Sequence, residues 1–195
     1  MSKKLSFDTK AIPYLIGLLA IVGLVVYWRV GVEKTPGDYE VRKGNYRLED
    51  GQYDEAIKEF AKALEKNPDH PMAHLGLALT YMQTKKNSEA LQEFNLAIEK
   101  NPKLAAAIAD RGILYDQMGE YRKALADYKK ALELDPKILE GPGWLWRFMH
   151  NVGEKPPTIK DRAAYLEAEL AKPKEERLLK MPDEDKKQRM YKIDD

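Results

Sequence analysis

Apolar residues fall into three regimes along this chain. From Ala11 to Trp28 they run almost unbroken, 18 residues without a charge between Lys10 and Arg29. From residue 37 to 138 they recur three or four apart, the spacing of amphipathic helices, and short polar turns interrupt them. Beyond Glu154 they are scattered through a stretch in which 22 of 42 residues are charged, 11 of each sign.

The first regime predicts a transmembrane helix over residues 11–30, after a short basic tail, 1–10. Eighteen residues rising about 1.5 Å each span roughly 27 Å, close to a hydrocarbon core of about 30 Å. Tyr14 lies near one end and Tyr27 and Trp28 near the other, where aromatic rings suit the membrane–water interfaces. Pro13 occupies the first turn, where its missing N–H costs little. A cleaved signal peptide would need small residues after the apolar run; Val26, Tyr27, Trp28, Arg29 and Val30 do not supply them, so the anchor is expected to be retained. Lys3, Lys4 and Lys10 on one side nearly balance Arg29, Lys34, Arg42 and Lys43 on the other. A short basic tail before an uncleaved apolar run behaves as a signal anchor. The expectation is therefore a single-pass protein of a bacterial inner membrane with its main domain in the periplasm; a cytoplasm-facing domain is the alternative.

The second regime is periodic. Ala56, Ala90 and Ala124 are 34 apart, as are Pro68, Pro102 and Pro136, the aromatics Phe60, Phe94 and Tyr128, and Ala63, Ala97 and Ala131. Gly44, Ala78 and Gly112 keep the same step and are always small. A shared period of this length over three copies means a helical solenoid. In the middle copy, Met72 to Thr84 reads as a first helix and Ser88 to Lys100 as a second, which Asn101-Pro102 ends. The fold class is therefore all-α: three helix-turn-helix units (37–70, 71–104, 105–138), each needing its neighbours to bury its apolar surface.

These residues resemble the tetratricopeptide repeat family. Gly112, Tyr115, Gly119, Tyr121, Ala124, Tyr128, Ala131 and Pro136 match its skeleton, and the first copy matches through Gly44, Gly51, Tyr53, Ala56, Phe60, Ala63 and Pro68. Lys43 and Arg111 depart from it, standing where the family usually has leucine, and no copy has the early tryptophan. The resemblance implies a concave groove lined by the first helix of each unit. Carried over by position, the lining comprises Val41, Asn45 and Leu48, then Met72, Leu75, Leu79 and Met82, then Ala109 and Ile113, with Asp38, Glu49, Ala106, Asp116 and Gln117 beside them. An apolar lining of this kind suits a protein helix or extended segment. Some members clamp a chaperone's terminal carboxylate with basic residues; only Asn45 resembles that clamp, because Val41, Leu75 and Ala109 take the places where polar or basic groups would be wanted. The alternative occupant of the groove is the chain's own C-terminal segment.

Gly141-Pro142-Gly143 ends the repeats. Trp144, Leu145, Phe148 and Met149 share a helical face, which predicts a capping helix over 139–153; Trp146 lies off that face and is a further candidate partner-binding residue. Residues 154–195 read as a charged helical or extended arm. Within it Thr158 and Asp161 mark a helix start, Ile159, Ala163, Leu166 and Leu170 continue at helical spacing, and Pro173 closes the helix. So polar a segment is expected to order on a partner or to stay a solvated tail.

Composition narrows the function. A formal net charge of +1 gives no field to attract nucleic acid, and the absence of cysteine removes disulfides and thiolate chemistry. His70 and His74 are four apart, but Pro71 intervenes and no third ligand is evident. Phosphate loops, nucleophile elbows and paired catalytic carboxylates do not appear. Neither a cofactor nor a small-molecule substrate is therefore expected, and an enzyme has no supporting residues. The expected role is a membrane-anchored scaffold or assembly factor that binds proteins, with a membrane-protein complex as partner. The alternative is a permanent accessory subunit of a respiratory or photosynthetic type of complex, its arm wrapping a neighbour.

Overall fold

A computed structural model describes residues 12–30, 35–136 and 158–180. The expected basic tail, the capping helix over 139–153 with Trp146, and the end of the arm beyond residue 180 lie outside the described residues. Among the described residues every regular element is helical: α1 (Ile12–Val30), α2 (Asp38–Glu49), α3 (Tyr53–Lys66), α4 (Pro71–Gln83), α5 (Asn87–Lys100), α6 (Ala105–Gln117), α7 (Tyr121–Leu134), α8 (Ile159–Ala171) and a 3-10 turn at Lys174–Glu176.

Helices α2 to α7 form three antiparallel pairs stacked into an all-α solenoid. Each unit stops in the same way. Asn67, Asn101 and Asp135 are extended, as a residue before proline must be, and their N–H groups bond Ala63, Ala97 and Ala131 at 2.9, 3.0 and 2.9 Å. The turn inside each unit repeats as well. Gly51, Lys85 and Gly119 hold φ of 72°, 60° and 80°, and the N–H one residue later returns to Arg47, Tyr81 or Tyr115 at 2.8 Å.

Phe60 shows how the units lock. Its ring lies on Gly44 of its own unit and on Gly76 of the next, where an added Cβ would come within 2.6 and 2.3 Å of ring carbons. The small residue expected to let paired helices approach therefore does so in the first unit, and Gly112 does the same against Tyr128 in the third, at 2.8 Å.

Helix α8 starts where Thr158 and Asp161 place it, with a reciprocal capping box. It is not a solvated tail. Ile159, Ala163 and Leu166 are buried in the same apolar cluster as Leu114, Tyr128 and Ala131, and α8 packs against α7. The expectation that this stretch orders only on a partner is corrected over 158–180: three apolar side chains and one buried arginine on a single face suffice to seat it on the third unit.

Helix α1 is 19 residues long. Its side chains are described over residues 14–24 and are all exposed. Among the described residues no helix is long and apolar enough to cross a membrane, so the anchor expected over 11–30 goes beyond what those side chains display.

Candidate partner-binding surface

The first helices α2, α4 and α6 line the inner face of the array, and burial divides their predicted lining into floor and edges. Leu75, Leu79, Met82, Ala109 and Ile113 form the floor; Leu75 and Ala109 are 0% exposed and Ile113 is 1% exposed. Val41 is buried as well. These positions are spent on packing within the array. The cluster of Leu75, Leu79, Met82, Ala109 and Ile113 continues to Ile159, Ala163 and Leu166 of α8, whereas Val41 belongs to the cluster around Phe60. Asn45, Leu48 and Met72 are half-buried and keep some surface.

What remains open runs along the two edges. Asp38, Met72 and Ala106, one from each unit, are half-buried in one row; Glu49, Gln83 and Gln117 are exposed in the other. Each row repeats every 34 residues, so equivalent positions stay partly open at each step of the solenoid. Gln83 is the one member of these rows that the sequence reading passes over. Its spacing from Glu49 and Gln117 was the available signal.

The inner end of the third unit already holds an arginine. Asp116 of α6 accepts from Nε and Nη2 of Arg162 at 2.7 Å each, and from the Tyr128 hydroxyl at 3.1 Å. Arg162 also donates to the Leu179 carbonyl at 3.0 Å, and Tyr165 donates to that of Leu178. The segment after α8 is thereby folded back along it. Asp116 and Arg162 are both buried, where a charge is retained only with a partner of this quality. In the sequence, the signal was an arginine set among the apolar positions of a predicted helix.

The two histidines serve the fold. His70 precedes α4, and its Nε2 lies 3.0 Å from Asp38 of the first unit. His74 places Nδ1 at 2.7 Å from Glu93 and Nε2 at 3.1 Å from the Pro68 carbonyl. The Glu93 carboxylate raises the pKa of His74 above its ordinary value, against the pull of burial. Among the described residues no group of three or more histidines, cysteines or acids is placed to hold a metal ion.

Two tetratricopeptide repeat models match the chain, one over residues 41–105 and one over 105–138, together 98 of 195 residues. Among solved structures, the first repeat domain of Spaghetti (RPAP3), bound to the HSP90 peptide SRMEEVD, is 24% identical with a TM-score of 0.55 over 73% of this chain and 99% of that one. The first such domain of human RPAP3 is 26% identical, TM-score 0.51, over 68% and 96% of the two chains. The Arabidopsis OM64 domain is 22% identical, TM-score 0.50, over 52% and 84%. No curated protein matches the chain.

Proposed function

Because the chain belongs to the tetratricopeptide repeat family, we propose that it is a membrane-anchored scaffold that binds partner proteins along the inner face of its array. The observation that carries this reading is the pair of edge rows. A solenoid that leaves the same positions partly open at a fixed step offers a partner a continuous surface along its length. The partner meets Asn45, Leu48 and Met72 on the open part of the surface and the polar row Glu49, Gln83 and Gln117 at its rim. It is held by apolar and amide contacts rather than by a carboxylate clamp, since Val41, Leu75 and Ala109 supply no cation. Leu75, Leu79, Met82 and Ile113 act beneath it as support.

The anchor is α1. Its helical backbone covers Ile12–Val30, the sequence from Ala11 to Trp28 is uncharged, and its described apolar side chains are unburied by protein. In this reading the array faces the periplasm of a bacterial inner membrane.

Affinity purification of the full chain from native membranes in mild detergent tests the scaffold. Met72→Glu should lose the co-purifying protein while the thermal melt stays close to that of the parent. Retention of the partner by Met72→Glu and by Gln83→Ala would rule the inner face out. Substoichiometric, salt-labile association marks a scaffold, whereas co-migration at fixed stoichiometry would make the protein an accessory subunit. Release of the chain from membranes by alkaline carbonate would sink the anchor.

A further inference from the structure

Tyr39, Arg42 and Tyr46 lie on the side of α2 that later units bury. Their counterparts 34 residues on are Ala73, Gly76 and Thr80, and a further 34 on are Ala107, Asp110 and Leu114; all six are buried, Gly76 directly against Phe60. This is the stacking face, and in α2 it is left exposed by the described residues. A solenoid end in water is expected to carry polar groups there. Here Tyr39 and Tyr46 stand 57% and 62% exposed, with exposed Arg42 between them. Outside α1, Leu178 is the only other large apolar side chain this exposed among the described residues.

The chain reaches this face by a short tether. Thr35 is already tied to α2: its N–H donates to Asp38 Oδ2 at 2.9 Å, and its carbonyl accepts from the Asp38 N–H at 3.0 Å. Gly37, with φ of 98°, seats the chain where a Cβ would stand 2.9 Å from the Ala63 carbonyl oxygen. From Val30, the end of α1, to Thr35 is five Cα steps, which reach roughly 18 Å at most. With α1 in lipid, the start of α2 cannot leave the neighbourhood of the headgroup layer.

We propose that the end face Tyr39–Arg42–Tyr46 docks on the phospholipid headgroups of the membrane that holds α1. The inference rests on the reading of α1 as an anchor. Tyrosine has an apolar ring and a wet hydroxyl, the combination enriched at that depth. The Arg42 guanidinium matches lipid phosphate. The acidic pair Glu49 and Asp50 lies off this face at the far end of α2, about 15 Å along the axis from Tyr39, so the helix tilts its acidic end away from the surface. The array is then held against the bilayer at one end.

The chain has no cysteine, so single labels can be placed cleanly. A nitroxide at Arg42→Cys, at the control Ala126→Cys on the exposed side of α7, and at Leu19→Cys in α1 would be compared in full chains reconstituted into phospholipid vesicles. The expected result is that the label at position 42 reacts with oxygen and loses its access to a water-soluble nickel chelate, while the label at 126 keeps that access. Free nickel access at 42, or protection there from both reagents as a second copy of the chain would give, overturns the proposal. Leu19 shielded from nickel while 42 is open overturns the docking alone; nickel access at Leu19 as well overturns the anchor and the docking together.

Discussion

Arg111 and Asp127 meet across the two helices of the third unit, Nε to Oδ2 and Nη2 to Oδ1 at 2.8 Å each. Lys43 and Glu59 occupy the same two places in the first unit, 3.0 Å apart. The second unit has Leu77 in place of the cation, and its acid, Glu93, turns to His74 instead. Each acid at this place has a cation or a histidine in front of it. The two departures from the family's leucine are therefore one compensated exchange, made twice.

Arg111→Leu removes the cation and leaves Asp127 largely buried without its strongest partner. The expected cost is about 2 kcal/mol, below the range for a fully buried pair because Arg111 keeps some exposure. Adding Asp127→Leu should recover most of it, since an apolar pair of similar size can replace an ion pair at little loss. Urea unfolding followed by helical circular dichroism measures both. A double variant as unstable as the single one would refute the compensation.

Gly76→Ala places a methyl group where two ring carbons of Phe60 stand 2.3 Å away. The ring cannot retreat toward Gly44, which it also touches, so the overpacking should cost about 1–3 kcal/mol. Phe60→Leu in the same chain should make the pair of changes less costly than the sum of the two. Strict additivity would mean that the glycine matters for some other reason.

Lys85 holds φ of 60° at the turn where the other two units have Gly51 and Gly119. Left-handed backbone strains a side chain that glycine lacks. Lys85→Gly should therefore stabilise the array by about 0.5–1 kcal/mol, after the greater freedom glycine gives the unfolded chain is set against the relieved strain. An unchanged or lowered melting temperature would show the strain to be negligible.

The stacked pairs were legible because a 34-residue period is a physical statement about units that can bury themselves only against copies of themselves. The start of α8 was legible because Thr158 and Asp161 satisfy each other locally. The burial of the expected lining was not legible, for a related reason. A position that the repeat pattern assigns to the lining, such as Leu75 or Ile113, can instead be buried in the shared core, and a one-dimensional pattern does not separate those two surfaces. Gly76 was illegible because its partner Phe60 lies in a different unit. The partner of Arg162 was illegible because nothing local indicates which of many acids it will face.

His74 makes stability depend on pH. Glu93 and the Pro68 carbonyl are both acceptors, so only the doubly protonated ring can donate to both. Its folded pKa is raised above the ordinary 6.5, chiefly by Glu93. The bonus is thus fully present below the unfolded pKa and is lost as pH rises through the folded one. The parent should be more stable near pH 6 than near pH 8.5 by an amount that Glu93→Gln removes. Equal slopes for parent and variant across that window would place the dependence elsewhere.

Arg162 joins three parts of the C-terminal end: α8, which carries it; Asp116 of α6 at 2.7 Å through two bonds; and the Leu179 carbonyl at 3.0 Å. Arg162→Gln cannot reproduce the charge or the fork, and it leaves Asp116 buried with the Tyr128 hydroxyl as its remaining donor, a loss of about 3 kcal/mol. That loss falls on the contact between α8 and the third unit. Hydrogen exchange should accelerate across Ile159–Ala171 while α4 at the centre of the array stays protected. Arg162→Lys keeps the charge without the fork and should fall between the two. If exchange in α8 is the same in the parent and in Arg162→Gln, the seat of the helix is its apolar face alone, and the buried pair only fixes its register.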